Sequence, residues 1–416
     1  MVVAIAIFSA ALLVIAFERM DRTKVALLGA VAILVTQTIS QEAAIEAVDW
    51  NTLGLLAGMM IVVRLTETTG MYTYLAIRAA QLSRGRPLAV VASLALATGT
   101  LSAFLDNLTT VLLVVPITFL LADALDIDPI PLILLEVFAS NIGGTATLIG
   151  DPPNILIAGA TDLSFLAFVA NLTPVVIVVL LVVTALMYLA YRRRLQIAPE
   201  ARDRVMELDP SRSIEDRDEL RRTLPIMLLT IAAFFVHKPL HLEPATVALA
   251  GATVMLVVSR QSMEKALAGI EWPTLFFFMG LFVMVGALEE RGAIQEVADG
   301  IASVTGGDRG AELLGILWVS GIASGIVDNI PFTATMIPVV EQLGGTEDDA
   351  YWWALSLGAC FGGNATIIAA AANVAAAGMA SRAGRPIGFV PFLRAGVPIT
   401  LVSLLISTGY VALRYL

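Results

Sequence analysis

The sequence predicts an all-α polytopic membrane protein built from two inverted repeats of five transmembrane helices each. Of its 416 residues, 58% are hydrophobic and 14% are charged, whereas soluble domains carry about 25% charged residues. A pattern of polar residues inside an apolar segment occurs twice, at 141–154 and 360–373. Each copy also contains an odd number of predicted crossings, which would place the two copies in the membrane in opposite orientations.

The segment 141–154 reads NIGGTATLIGDPPN and interrupts an apolar region long enough to cross a bilayer. Backbone groups freed by such an interruption find no water in hydrocarbon, so irregular backbone is tolerated only inside protein or beside a wet cavity. We therefore predict one broken helix over 130–160 and a second over 350–379. Their half-helix ends and free carbonyls would face a bound ion or solute.

Ten apolar segments predict the spanning helices, and the unbroken ones approach the ~20 residues that a crossing needs. They are 2–17, 25–39, 52–66, 130–160, 165–190, 224–237, 245–259, 273–288, 350–379 and 389–413. Charged residues follow the first segment rather than precede it, the reverse of a cleavable signal peptide, so we expect it to remain as a helix.

Two further apolar stretches, 88–123 and 311–340, carry a polar tip in the middle. Arms of about 14 residues reach roughly 21 Å, short of ~30 Å of hydrocarbon, so we expect re-entrant hairpins. Amphipathic stretches at 68–86 and 291–304 leave two alternatives open. They lie flat at the interface, or they simply continue the preceding helix.

Residue pairs recur 222 positions apart: Asp49-Trp50 returns as Glu271-Trp272, and Asp106-Asn107 returns as Asp328-Asn329. After a three-residue shift, Gly143-Gly144 matches Gly362-Gly363. The chain therefore divides into a first repeat (1–190), a hydrophilic cytoplasmic linker (191–223) and a second repeat (224–416).

Basic residues fall mostly on one side of the membrane under this topology, and by the positive-inside rule that side is cytoplasmic. They include Arg22, Lys24, Arg84, Arg86, Arg192, Arg193, Arg194, Arg260, Lys265, Arg382, Arg385 and Arg394. We therefore expect a multi-pass protein of the bacterial inner (plasma) membrane with both termini extracytoplasmic.

The two hairpin tips place Asp106 and Asp328 at mid-membrane depth, where an ionisable group is costly and indicates function by default. The alternative is that each aspartate only caps a half-helix. Carboxylate, amide, hydroxyl and carbonyl oxygens suit a hard cation such as Na⁺, and a desolvated aspartate can instead carry a proton. The predicted coupling-ion residues are Asp106, Asn107, Gly144, Thr145, Asp151 and Asn154. The predicted substrate residues are Asp328, Asn329, Asn364, Thr366, Asn373 and Thr147.

The two predicted sites are unequal, because Asp151-Pro152-Pro153 corresponds to Ala370-Ala371-Ala372. The coupling cation is therefore expected in the first repeat. Glu136 either faces the same cavity or is a helix charge near the interface. No cofactor is predicted besides bound Na⁺.

Several classes of function are excluded by what the sequence lacks. A single cysteine, Cys360, excludes an intramolecular disulfide. No P-loop, zinc-protease or serine-hydrolase motif occurs, so we expect neither an enzyme nor ATP hydrolysis within the chain. Nothing in the charge pattern indicates nucleic acid as a partner. The alternating charges of the linker indicate a solvated loop, with docking of a soluble ATPase as the alternative.

The motifs FLDNLTTVLLVVPIT, SNIGGTATLIGDPPNILI, VDNIPFTATMIPVV and FGGNATIIAAAANVAAAG resemble the ion transporter superfamily. The similar branch holds ArsB-type arsenite/antimonite permeases, NhaD-type sodium/proton antiporters and the pink-eyed-dilution P protein. The resemblance implies two re-entrant hairpins, a scaffold that forms homodimers, and an elevator-type transport domain. Dicarboxylate carriers of the superfamily have Ser-Asn-Thr at the tips, where this chain has Asp106-Asn107-Leu108 and Asp328-Asn329-Ile330. The added negative charge disfavours a dicarboxylate.

These observations together predict a secondary active transporter driven by protons or sodium. The preferred activity is efflux of arsenite, antimonite or a related inorganic anion, since neutral As(OH)₃ can hydrogen-bond to Asn, Thr and Asp side chains. A Na⁺/H⁺ antiporter would use the same carboxylates. An anion channel is the alternative from another class of function.

Overall fold

The computed structural model describes residues 1–17, 20–84, 86–198, 201, 204, 206–207 and 209–416. Residues 199, 200, 202, 203, 205 and 208 of the predicted linker lie outside the described part. The first half forms α1 (Val2–Ala16), α2 (Arg22–Val35), α3 (Gln41–Glu46), α4 (Trp50–Glu67), α5 (Met71–Leu82), α6 (Pro87–Ser102), α7 (Asn107–Leu125), α8 (Ile130–Gly144), α9 (Pro152–Ala160) and α10 (Phe165–Tyr191).

The second half begins inside the stretch expected to be linker. It forms α11 (Arg217–Val236), α12 (Pro244–Val258), α13 (Met263–Ala268), α14 (Trp272–Glu290), α15 (Ala293–Thr305), α16 (Arg309–Ile326), α17 (Asn329–Val340), α18 (Ala350–Gly362), α19 (Ala371–Arg382) and α20 (Phe389–Tyr415). The first turn of α11 lies outside the apolar segment because Asp216 caps it, accepting from the backbone N–H groups of Asp218 and Glu219.

Four helices in the described part of the chain, α7, α10, α14 and α20, are long and apolar enough to cross a membrane alone. The bent pair α4–α5 makes a fifth candidate, and α1, α6, α8 and α12 are shorter apolar helices. The arms of the first hairpin are longer than the expected 14 residues. Helix α7 has 19 residues and spans roughly 28 Å, because it begins at Asn107 within the polar tip, where Asp106 caps it, and runs to Leu125.

The amphipathic stretch after α4 is a separate helix. α4 and α5 meet at an angle of 67°, and Gly70 between them has φ +79°. A Cβ at Gly70 would lie 1.7 Å from the carbonyl oxygen of Ser213. The equivalent Gly292, between α14 and α15, has φ +76°. α5 therefore does not continue α4, which removes the second of the two alternatives for this stretch.

Each helix of the first half corresponds to the helix numbered ten higher in the second half, and the contacts between helices recur between their counterparts. α4 packs on α12 as α14 packs on α2, and α6 packs on α8 as α16 packs on α18. α1–α2 matches α11–α12, α8–α10 matches α18–α20, and α7–α19 matches α17–α9. The two halves of the chain have similar apolar patterns, and this similarity accounts for the matching contacts.

The contacts separate two bodies. One, here called the frame, comprises α1–α4 and α11–α14; the other, the core, comprises α6–α10 and α16–α20. The two bodies touch principally through α4–α9, α14–α17 and α10–α11. The frame and the core are therefore each packed more extensively within themselves than against one another.

Two glycines let helices of the core approach closely. A Cβ on Gly143 would lie 2.2 Å from the carbonyl oxygen of Gly99, so α8 and α6 cross backbone to backbone. A Cβ on the equivalent Gly362 would lie 2.5 Å from the carbonyl oxygen of Gly321, where α18 crosses α16. These crossings fix each break against the arm of its own hairpin.

Candidate functional site

The break between α8 and α9 is held by one amide. The Nδ2 of Asn154 donates to the carbonyl oxygens of Thr145 at 3.0 Å and Thr147 at 2.8 Å. Its Oδ1 accepts from the hydroxyl of Ser356, on α18, at 2.6 Å. Asn154, predicted as an ion ligand, thus satisfies freed carbonyls of its own break and ties it to the other half of the core.

The second break is closed in the same way. The Nδ2 of Asn373 donates to the carbonyl oxygens of Gly363 and Thr366, both at 2.7 Å. Two threonines, both predicted to bind substrate, anchor the breaks to the hairpins. The Thr147 hydroxyl donates to the carbonyl of Ala103, and the Thr366 hydroxyl donates to that of Gly325 at 2.9 Å.

Residues of both hairpin tips meet at one buried carboxylate. The Nδ2 of Asn107 lies 3.1 Å from Oδ1 of Asp151, and the Nδ2 of Asn329 lies 3.5 Å from the same oxygen. Asp151 is fully buried, and its Oδ2 has no hydrogen-bond partner among the described residues. The predicted coupling and substrate residues are therefore not two separate groups, since both contribute to the surroundings of Asp151.

Asn141, which sequence analysis did not select, joins the two breaks. Its Oδ1 accepts from Asn107 at 3.1 Å, and its Nδ2 donates to Oδ1 of Asn364 and of Asn373, both at 3.0 Å. The Nδ2 of Asn364 itself has no partner in the described part of the chain. The signal in the sequence was a fully polar residue in the apolar half-helix α8, at the position where the other repeat has Cys360.

The two tip aspartates are helix caps. Asp106 caps α7 and accepts from the backbone N–H of Thr109 at 2.8 Å and from its hydroxyl at 2.5 Å. Asp328 caps α17 and accepts from the backbone N–H of Ile330 at 3.0 Å. Unlike Asp106, it also forms an ion pair with Arg22 of α2, at 2.7 Å.

Three other residues considered from the sequence form no hydrogen bond with the Asp151 carboxylate. A Cβ on Gly144 would lie 2.4 Å from the carbonyl oxygen of Gly150, so Gly144 permits the tight backbone of the break. The hydroxyl of Thr145 donates to the carbonyl of Asn141 at 2.8 Å, within α8. Glu136 is fully buried between α8 and α7, where it accepts from the hydroxyl of Thr118.

A cavity of about 540 Å³ lies where the frame meets the core. Its lining includes Asp21 and Arg22 from the frame, Leu108 and Asp328 from the hairpin tips, and Ala371 and Val374 from α19. The cavity thus adjoins both tips and the second break, next to the polar network. Chemically, the arrangement offers a buried carboxylate oxygen for a cation and a larger space for a solute.

Comparison with known proteins identifies the family. The model of the family described as CitMHS, citrate transporter, matches residues 12–358, well over half of the chain. The chain belongs to this family. It is therefore a multi-pass membrane protein and a secondary transporter, and it is not an enzyme.

Relatives of this transporter extend over its full length. An uncharacterized transporter from Mycobacterium tuberculosis is 44% identical over 423 residues, covering 100% of this chain and 98% of the relative. The P protein of Mus musculus is 33% identical over 500 residues, covering 99% of this chain and 60% of that protein. The resemblance to the ion transporter superfamily, in the branch that holds the P protein, is thereby confirmed.

The YdaH transporter of Alcanivorax borkumensis has a similar solved structure. The TM-score is 0.60 at 16% identity, and the match covers 89% of this chain and 86% of that one. At this identity the likeness concerns the fold alone. It supports an all-helical membrane transporter architecture.

Proposed function

We propose that this transporter couples the entry of a cation, H⁺ or Na⁺, at Asp151 to the movement of a small solute through the adjoining cavity. One observation carries the proposal: Asp151, in the first break, is fully buried, and one of its carboxylate oxygens has no partner among the described residues. A buried carboxylate is stable only when it is paired or neutralised. A proton or a Na⁺ ion supplies that neutralisation.

We propose Oδ2 of Asp151 as the atom that takes either cation. Asn107 and Asn329 donate to Oδ1 and so leave Oδ2 for the proton or the ion. Carboxylate, amide and carbonyl oxygens are the ligands that hard cations take. We keep Asp106, Gly144, Thr145 and Asn154 in the coupling site as residues that shape it, with Asp151 as the group that changes charge.

Alternating access between two inverted repeats, by an elevator-type movement of the core, is the proposed mechanism. The matching helix pairs support two repeats, and the sparse frame–core contacts support a mobile core. The contacts between the bodies are also unequal: α4 packs on α9 and α14 on α17, without comparable α14–α19 or α4–α7 contacts in the described part. A core resting toward one side of the frame would give this inequality.

For the solute, two candidates have support. Efflux of arsenite, antimonite or a related inorganic anion relies on Asp328, Asn329 and Asn364 as hydrogen-bonding groups, with Thr147, Thr366 and Asn373 holding the breaks in place. A citrate-like carboxylate has the support of the family description and of the Arg22 guanidinium in the cavity wall. A Na⁺/H⁺ antiporter, which would use the same carboxylates, is the alternative.

Membrane orientation and assembly complete the proposal. The distribution of basic residues supports the bacterial inner membrane with both termini extracytoplasmic. A homodimer through the frame is the proposed assembly. The linker is proposed as a solvated loop, and docking of a soluble ATPase there is the alternative.

Transport in proteoliposomes under an imposed pH gradient tests the proposed function. Labelled citrate, arsenite and NaCl are supplied in parallel, and internal pH is followed with a dye. The proposal expects uphill accumulation of one solute together with proton or Na⁺ movement. Solute currents that need no counter-ion would instead identify an anion channel and contradict coupling.

A further inference from the structure

The frame and the hairpin tip of the second repeat are joined by a single ion pair. The Nη1 of Arg22, at the start of α2, lies 2.7 Å from Oδ2 of Asp328, at the start of α17. Other ion pairs in the described part stay within the frame or within the core, as Arg64–Glu67 and Arg309–Asp348 do, or involve a residue of the linker. Arg22–Asp328 alone among the described pairs crosses between the two bodies.

Arg22 is placed to meet a solute. It lines the cavity of about 540 Å³, and its side chain is 23% exposed, against 9% for Asp328. The guanidinium carbon lies 5.2 Å from the centre of the Phe277 ring, which holds one of its faces. A guanidinium has five N–H donors in a planar fork that matches carboxylates and other oxyanions, more than one aspartate oxygen can occupy.

The ion pair is not required for a hairpin of this kind to form. Pro244 stands 222 positions after Arg22, so α12 offers no arginine to the first hairpin tip. Asp106 there caps its helix with Thr109 as its partner. Asp328 likewise has its own capping bond to the N–H of Ile330, which would remain if Arg22 moved away.

We propose that Arg22 binds the anionic group of the transported solute. In the absence of solute, the Asp328 carboxylate occupies the position on the guanidinium that this group would take. Loading then exchanges one anionic partner of Arg22 for another and releases the hairpin tip from the frame. This inference rests on the proposed function in that the cavity is taken to be the solute site. It names the solute class as an anion with charged oxygen atoms.

The proposal predicts opposite effects for the two members of the pair. Removing the guanidinium, by Arg22→Gln, should weaken anion binding at least ~10-fold because the charge-assisted hydrogen bonds are lost. Removing the competing carboxylate, by Asp328→Asn, should strengthen anion binding, since the guanidinium no longer has to leave a charged partner. If the ion pair had only a structural role, anion binding would change in the same direction in both variants.

Binding is measured on the purified full-length protein by titration calorimetry, so that the test does not depend on transport. The probes are citrate, a carboxylate, and inorganic phosphate, an oxyanion without carboxylates; neutral arsenite serves as the uncharged control. Arg309→Gln is the matched control variant. It breaks a 2.6 Å ion pair with Asp348 that joins two segments of the core, and it should bind anions like wild type. The melting temperature of each variant shows whether it is folded.

Weaker citrate or phosphate binding in Arg22→Gln, together with tighter binding in Asp328→Asn, would support the proposal. Which probe responds would tell a carboxylate from an inorganic oxyanion. Equal losses in both variants, or wild-type binding of arsenite alone, would overturn it. Failure of the broader function looks different: wild type would then bind an anion but show no coupled flux in proteoliposomes.

Discussion

At the scale of single residues, an amide network surrounds one carboxylate. Asn107, Asn141 and Asn329 come from three different segments, yet all lie within two hydrogen bonds of Asp151. Amides suit this position because each presents donors and an acceptor without adding charge to a buried site. Asp151 carries the one charge in the network, so its neutralisation changes the electrostatic energy of the network more than any other change there.

Replacing Asn141 with alanine should impair both folding stability and transport. The change leaves the Asn107 amide and the Oδ1 atoms of Asn364 and Asn373 without their bonds to Asn141. Each buried group left unpaired costs about 1–3 kcal/mol. We expect a lower melting temperature in detergent and little flux in proteoliposomes. Gln295→Ala, an amide paired with Asp299 at the surface, is the control; a stable, active Asn141→Ala protein would contradict the role of the network.

The sequence allowed the candidate residues to be chosen by type but not by contact. Asp151 stood out because a carboxylate beside two prolines is unusual inside an apolar segment. Arg22 and Asn141 did not stand out. The partners of Arg22 and of the Nδ2 of Asn141 are more than 200 positions away in the sequence, and only the packing of the two halves brings them together.

At the scale of elements, glycine and proline mark where helices stop. α8 ends at Gly144 and α9 begins at Pro152, whose fixed φ suits the first turn of a helix. Local chemistry of this kind is visible in the sequence. Pro116 shows the limit of the argument, since the same residue type lies within α7 without ending it.

Alanine at the crossing glycines should destabilise the core. At Gly143 and at Gly362 an added methyl group would overlap the carbonyl oxygen of the facing helix, and overpacking costs about 1–3 kcal/mol. Gly315→Ala is the control, because nothing lies within 4 Å of a Cβ there. We expect lower melting temperatures for the first two variants only. Unchanged stability in all three would show that the close crossings do not hold the breaks.

At the scale of the whole molecule, the frame and the core each contain helices from both halves of the chain, and the contacts between them are unequal. The hydroxyl of Thr52 on α4 lies 3.4 Å from the carbonyl oxygen of Ile155 on α9. The equivalent residues, by the repeat spacing, are Thr274 on α14 and Val374 on α19. If the core moves across the frame, the second pair should approach as the first separates.

Cysteine crosslinking can follow that exchange, since Cys360 is the only cysteine to remove. In a Cys360→Ala background, we expect the pair T52C/I155C to crosslink readily with a short bifunctional maleimide and to lose transport when crosslinked. The pair T274C/V374C should crosslink mainly under conditions of active transport. A core that is fixed to the frame would give efficient crosslinking of the first pair with transport intact.

The central claim is that Asp151 carries the coupling cation. Measuring solute transport by the Asp151→Asn variant tests this claim most directly. The solute is whichever of citrate, arsenite and NaCl gives the strongest wild-type flux. Asparagine keeps the shape of the side chain but cannot exchange a proton or neutralise Na⁺. Asp126→Asn, at an exposed position after α7, is the matched control.

The account predicts that Asp151→Asn still exchanges labelled for unlabelled solute across the membrane but no longer accumulates it against a gradient, while Asp126→Asn does both. Gradient-driven accumulation at the wild-type level in Asp151→Asn would contradict the assignment of the coupling cation to this carboxylate.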